Sequence, residues 1–348
     1  MQYPTSSIRR LPAEWEQQRA LLLTWPHEHG LWGDILAKTE QVFIQIASIT
    51  SQHQPVIISC YDSAHPQHIL HALQNTSAQL TNITYYIIPS NDSWVRDHGP
   101  ISVQVNGQME LAKFAFNAWG AKYKYELDNQ IVNELAKQRA FGDTTLHPYS
   151  WILEGGSLET DGQGTLLTTE SCLLNPNRNP ELSREQIEQR LHEDLGISRV
   201  LWIKNSLLTG DDTDGHIDML ARFTAPHTIC YTTTYENGID AQSLKAMEAE
   251  LRALRTVEGE PYHLIPLPAI QPKFSAPGDQ VAEQMPASYA NFLIINDAVI
   301  VPTYDDESDA VALKCLQTCF PGRKVYGVNS LALIHMHGSV HCSTMNIY

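Results

Sequence analysis

A single pattern recurs along this chain: a short apolar strand, a tight turn, a second strand, a helix and a closing strand. The first copy has a strand over 101–105, an Asn106-Gly107 hairpin turn, a returning strand over 111–116 and a helix over 128–137. The second runs from Glu154 through an Asp161-Gly162-Gln163-Gly164 turn to a strand over 166–174, a helix over 180–195 and a strand over 200–203. Ser183 and Gln186 stand there at capping-box spacing. The third copy places strands from His216 to Phe223 and over 228–233, a helix over 241–254 and a strand over 262–268. The fourth repeats this with 292–295, the Asn296-Asp297 turn, 299–304, a helix to Phe320 and 324–328. The last piece, 338–345, is short of a unit, and the first 60 residues supply the rest: a strand over 20–25, a helix over 35–49 and a strand over 55–61. A further helix over 65–73 and a strand over 83–89 precede the first full copy.

A unit of this size cannot bury its own sheet face, so its copies must pack on one another. Five copies whose last is completed by the N-terminus close into a ring, which removes the exposed edges an open array would leave. No low-complexity linker interrupts the chain, and the Pro-rich stretch 258–287 reads as a long loop over one face. One domain spanning residues 1–348 is expected.

The repeat also aligns chemistry. Asp97, Glu154, His216 with Asp218, and Cys342 fall at the start of the first hairpin strand of their units, 57, 62 and 126 residues apart in turn, and the fourth unit offers Asn291. The densest stretch is Gly210-Asp211-Asp212-Thr213-Asp214-Gly215-His216-Ile217-Asp218, with four carboxylates and an imidazole in nine residues. The apolar run after Gly215 predicts that His216 and Asp218 begin a strand and face the same side. A calcium loop fails here, because its first ligand would be Gly210 and its closing ligand Ala221.

In a ring these strand starts meet at the axis. Carboxylates gathered with a thiol in a buried centre repel one another and lose hydration unless a cation sits among them. The net charge of -16 agrees with a cationic small-molecule partner and opposes nucleic acid and anionic membranes. A guanidinium suits the site, being planar, charged and able to give paired hydrogen bonds to carboxylates. Cys342 can then attack its central carbon as a thiolate, while His216 protonates departing ammonia and activates water. Whether the substrate cation or a His216 imidazolium supports the thiolate is left open by the sequence.

The segments PAEWEQQRALLLTWP, WVRDHGP, FNAWGAKY, EGGSLETDGQGTLLTTESCLLNPNRNP, GDDTDGHIDMLARF and HGSVHCSTM, spread over nearly the whole chain, resemble the agmatine deiminases of the guanidine-modifying, or pentein, superfamily. The resemblance implies an α/β fold, a five-bladed pseudo-symmetric propeller with a central active site. It implies no metal and no organic cofactor, and a covalent amidino-thioether on Cys342. His216 becomes the general acid and base, Asp97 and Asp218 the guanidinium clamp, and Glu154 a partner of His216. Trp94 is implied as a pocket wall and Asp212 as a partner of the substrate's distal amine. Agmatine is the implied substrate, in polyamine (putrescine) synthesis, with peptidyl-arginine as the sister substrate of the same branch.

Other readings are weighed beside this one. His216, Asp218, His341 and Cys342 are all zinc-ligand types and spell a zinc hydrolase, and a ring without turnover would be a polyamine-binding module. His341 reads as structural, Arg96 and Arg178 as partners of internal carboxylates, and Trp119 with Gly120 as either substrate-facing or a packed corner. Tyr289 and Asn291 are candidates to line the axis. The six cysteines show no CxxC pair and read as reduced thiols, with Cys315 and Cys319 buried on one helix face. The polar N-terminus, residues 1–10, has no signal-length apolar core, so a cytoplasmic protein is expected, with a homo-oligomer as the common arrangement.

Overall fold

The computed structural model describes residues 8–275 and 282–348, so the expectation for the N-terminal ten residues lies mostly outside the described residues. The fold is mixed α/β. Five of the six sheets among the described residues share one construction, an antiparallel pair joined through a helix to a parallel third strand.

Ile101–Val105 pairs antiparallel with Gln108–Ala115, which pairs parallel with Leu146–Ile152 after helix Asp128–Lys137. The Asn106-Gly107 turn has positive φ at both residues (50° and 85°), the conformation a two-residue hairpin needs. Glu159–Thr160, Thr165–Thr169 and Arg199–Ile203 repeat the arrangement around helix Arg184–Leu195. That helix starts with the expected Ser183–Gln186 capping box and ends at Gly196 in the left-handed region (φ 75°). Ala221–Ala225, Thr228–Tyr231 and His263–Pro266 form the next sheet around helix Ala241–Ala253. Leu293–Ile295, Ala298–Thr303 and Lys324–Asn329 form another around helix Asp309–Cys319. In the last, Met345–Ile347 pairs antiparallel with Ala20–Thr24, so the C-terminal strand is completed by the N-terminal one. Val56–Cys60 and Ile83–Ile87 extend that sheet in parallel, through helices Leu36–Thr50 and His65–Leu73.

The central strands of this sheet, ALLLT and VIISC, are buried at every position, as continuous apolar runs covered on both faces should be. Burying such side chains contributes roughly 1.5–3 kcal/mol each.

Several local expectations are corrected. His216 and Asp218 flank and enter a short 3-10 turn, Ile217–Met219, and the strand begins only at Ala221. Cys342 lies in turns ahead of strand Met345–Ile347, where the start of a hairpin strand was expected. The strand expected over 166–174 stops at Thr169, whose side chain accepts from Cys172 N and starts a helical turn, Glu170–Leu173. Within the expected long loop, Lys273–Phe274 pairs with Gln284–Met285. Cys315 and Cys319 are half-buried where full burial was expected. Among the described residues, no helix is long and apolar enough to cross a membrane.

Candidate active site

The site residues sit in the irregular segments just before the strands. Asp97 is in helical turn Val95–His98, Glu154 precedes the turn Gly155–Ser157, and Asp218 lies in the turn Ile217–Met219. Tight turns rather than strands present these side chains, because a helical turn can aim residues two apart at different partners of one centre. His216 turns to Glu154 (Nε2 to Oε2, 3.1 Å), and Asp218 turns to His341 (Oδ2 to Nδ1, 2.8 Å).

Asp97, Glu154, His216, Asp218 and Cys342 are all buried. Asp97 Oδ1 accepts from Gly156 N at 3.0 Å and lies 3.6 Å from His216 Nδ1, and its Oδ2 accepts from the Trp119 indole at 3.0 Å. A side chain at residue 156 would collide with His216 Nδ1 at 2.5 Å and Asp97 at 2.9 Å, so only glycine permits this approach. Glu154 is held by Arg178, whose Nε lies 3.0 and 3.2 Å from its two oxygens and whose Nη2 lies 3.1 Å from Oε2. The Cys342 thiol receives a hydrogen bond from Asn291 Nδ2 at 3.2 Å and lies 3.7 Å from Asp218 Oδ2.

The electrostatics follow. Burial, then the Glu154 and Asp218 charges, push Asp97 up to about 6, against the pull of His216 and Trp119. Burial would raise Glu154 too, but the His216 hydrogen bond and Arg178 hold it below its ordinary value. Burial opposes charge on His216, yet Asp97, Cys172 and Glu154 together raise it well above the usual imidazole range. Burial and the carboxylates of Asp218 and Asp97 drive the Cys342 thiol well up. Two buried atoms facing this centre, Asp218 Oδ1 and His216 Nδ1, have no hydrogen-bond partner. Orphaned polar atoms of this kind call for a bound ligand.

A pocket reaches Cys342 between Trp94, Asp97, Trp119 and Gly338, and its outer part is lined by Asp92, Tyr123, Asp212 and His337. Trp94 and Trp119 both line the pocket. Asp212 accepts from the Tyr123 hydroxyl at 2.8 Å. Asn291 reaches the thiol, whereas Tyr289 is tied to Asp309 at 2.7 Å.

Sequence reasoning missed two members of the centre. Cys172, read only as one of the reduced thiols, is fully buried with Sγ 3.7 Å from Glu154 Oε2. Asp92 lines the pocket, its carboxyl pushed up to about 7 by burial and by Asp212. Arg178 pairs with Glu154 and Asp214 as expected. Arg96 does not pair with a carboxylate as expected: it donates to His341 O, Met345 Sδ and Asn346 Oδ1.

The four expected zinc ligands do not assemble. Both ring nitrogens of His341 are taken up by carboxylate oxygens, so neither is turned toward a metal shared with Cys342. Among the described residues, the one group of three potential ligands is Glu154, Cys172 and His216, with ligand atoms within 4.8 Å of one another. Its carboxylate already carries the Arg178 guanidinium, a cation in the place where a metal's charge would act.

A family model described as Porphyromonas-type peptidyl-arginine deiminase matches residues 10–347. The chain belongs to this family. A relative from Enterococcus faecalis, named "Putative agmatine deiminase", is 34% identical over 357 residues, covering 96% of this chain and 94% of its own. A solved structure described as the "Putative Arginine Deiminase from Porphyromonas gingivalis" is 44% identical with a TM-score of 0.89, covering 97% of this chain and 98% of its own. The agmatine deiminase of C. jejuni, solved with substrate bound, is 33% identical with a TM-score of 0.89 and covers 100% and 98% of the two chains.

Proposed function

We propose that this protein is a cysteine-dependent agmatine deiminase, converting agmatine and water to N-carbamoylputrescine and ammonia. The observation that carries the reading is the unpartnered, buried Asp218 Oδ1, on a carboxylate whose Oδ2 lies 3.7 Å from the Cys342 thiol, while Cys342 and Asp97 line one pocket. A guanidinium laid between Asp97 and Asp218 supplies the missing donors and presents its central carbon to Cys342.

Cys342 attacks that carbon, and the raised thiol pKa means that the substrate's own positive charge must help to create the thiolate. His216, held protonated by Asp97 and Glu154, donates its proton to the departing ammonia. The amidino-thioether then takes water activated by the neutral imidazole, and collapse releases the ureido product and restores the thiol. Arg178 keeps Glu154 ionised, and Glu154 keeps His216 oriented.

Substrate choice is read from the outer pocket. Asp92 and Asp212 stand there with Tyr123, an environment that favours a distal ammonium and disfavours the α-carboxylate of arginine. Peptidyl-arginine, which lacks a free carboxylate, is the second reading, favoured by the family's description. The five like-built sheets, with N- and C-terminal strands paired, support a single-domain five-bladed propeller around this site. A cytoplasmic homo-oligomer serving putrescine synthesis completes the proposal.

Ammonia release from agmatine, free arginine and a peptidyl-arginine substrate, each with and without chelator, tests it. Chelator-resistant turnover selective for agmatine is expected. Turnover selective for the peptide moves the protein to the sister activity, and no turnover on any guanidine overturns the deiminase reading.

A further inference from the structure

His341, the neighbour of the nucleophile, is 1% exposed and touches two carboxylates: Nδ1 lies 2.8 Å from Asp218 Oδ2, and Nε2 lies 2.7 Å from Glu14 Oε2. A neutral imidazole carries one N–H, so it can donate to one of these oxygens and must turn a bare lone pair to the other. At such distances in a dry interior two facing lone pairs repel, and a second proton converts the repulsion into a charge-assisted hydrogen bond.

We propose that Glu14, His341 and Asp218 hold two protons between them, one on each side of the imidazole, and that His341 thereby acts as the positioning residue for the Asp218 clamp. The proton count stands on geometry alone; the role assigned to the clamp rests on the guanidine reading of the pocket.

The surroundings fix the trio in place. Glu14 Oε2 also accepts from Arg222 Nη2 at 2.8 Å, and its Oε1 accepts from Ile294 N at 2.7 Å, so Glu14 cannot swing away. Arg222, fully buried, also pairs with Glu159. The charged and titratable groups around the ring are Asp218, Glu14, Arg222 and Arg96, with Cys342 next in the chain. Burial, then Arg222 and Arg96, lower the His341 pKa, and Glu14 and Asp218 recover only part of that shift, so the second proton rests on the two short carboxylate contacts. The two carboxylates are in direct contact with the ring, whereas Arg222 already divides its charge between Glu14 and Glu159.

The arrangement sorts the two oxygens of Asp218. Oδ2 is filled by the Nδ1 proton, and Oδ1 has no partner and remains for the incoming guanidinium. Exchanging the two oxygens requires breaking the His341 bond, so the ring fixes which lone pairs the substrate meets.

Two measurements test this. Proton NMR of the whole protein without substrate is expected to show two downfield, exchange-protected ring-proton resonances that vanish together in His341→Asn. A single such resonance at neutral pH overturns the proton count, whether or not the protein is a deiminase. For the positioning role, an Asn amide at 341 reproduces the Nδ1 donor toward Asp218, and a Gln amide reproduces the Nε2 donor toward Glu14. KM for agmatine is therefore expected to rise in both variants but about tenfold further in His341→Gln, with kcat changed less than KM. Equal KM values in the two variants, or losses in kcat that follow melting temperature with KM intact, overturn the positioning role.

Discussion

The indole of Trp119 donates to Asp97 Oδ2 at 3.0 Å from a turn whose backbone winds left-handed over four residues, with φ of 49°, 56°, 95° and 60° at Ala118, Trp119, Gly120 and Ala121. Three of these are not glycine, and each costs roughly 1–2 kcal/mol in this region. Asn117 holds the turn by accepting from Gly120 N at 3.0 Å. Strain concentrated beside a reacting group is kept where the geometry it imposes is needed, and here it delivers a neutral donor to the proposed clamp.

Trp119→Phe keeps the pocket wall and removes that donor. The hydrogen bond lowers the Asp97 pKa, which stands at about 6, so its loss raises that pKa further. The clamp works as a carboxylate, so kcat/KM falls as the pH drops through the Asp97 pKa. The acidic limb of the kcat/KM profile is expected to move to higher pH, with about a tenfold loss near pH 6. A profile that falls uniformly at all pH values would refute this.

Two thiols lie near Asp97, Glu154 and His216, and they are separable. Cys342 lines the pocket, whereas Cys172 contacts Glu154 in a fully buried position. Cys342→Ser is expected to abolish turnover while agmatine still binds, read by calorimetry. Cys172→Ala should retain the covalent intermediate, with kcat lowered about tenfold through looser Glu154, and the trapped adduct is read by mass spectrometry. An adduct on Cys172 in the wild type would reverse the assignment.

Much of this architecture was legible because it is periodic. Helix Asp128–Lys137, the Asn106-Gly107 hairpin and the Ser183 cap follow from apolar spacing and turn chemistry, and unit spacing alone brought Asp97, Glu154, His216 and Cys342 together. The turns at Val95–His98, Gly155–Ser157 and Ile217–Met219 were not legible, since three or four residues carry no period. Nor was the ion array around Glu14, whose partners Arg222 and His341 lie 208 and 327 residues away and are set by tertiary packing alone. Cys172 lay inside the segment EGGSLETDGQGTLLTTESCLLNPNRNP with no chemical cue to set it apart, and Arg96 found neutral acceptors that no charge pattern announces.

Asp128 predicts a pH-dependent stability. It is buried at the first helical position, with Oδ1 accepting from Asn91 N and Asp92 N, and burial followed by the Asp92 charge raises its pKa to about 8. The unfolded carboxyl titrates near 4. Between about pH 4 and 8 the folded state therefore binds more protons, and this group's contribution is present at low pH and lost as pH rises through 8, at up to ~1.4 kcal/mol per pH unit. Asp128→Asn keeps the accepting oxygen and cannot ionise. Urea unfolding should show the variant gaining on wild type as pH rises from 5 to 8, and a constant difference over that range would refute the assignment.

Arg178 and Glu154 form a pair with both side chains 1% exposed. Removing Arg178 leaves the buried Glu154 charge with the His216 and Cys172 contacts alone, and breaking a buried pair in this way costs roughly 3–5 kcal/mol. Arg178→Met should therefore lower unfolding free energy by about that amount. It should also let the Glu154 pKa rise, because burial then acts without the opposing guanidinium. A protonated Glu154 no longer supports the imidazolium of His216, so the alkaline limb of kcat, set by loss of the His216 proton, should move to lower pH. Arg178→Lys separates the two effects: it restores the charge but not the fork of donors. It is expected to recover most of the pH profile and only part of the stability, and a lysine variant that recovers stability while leaving the alkaline limb displaced would break the proposed link from Arg178 through Glu154 to His216.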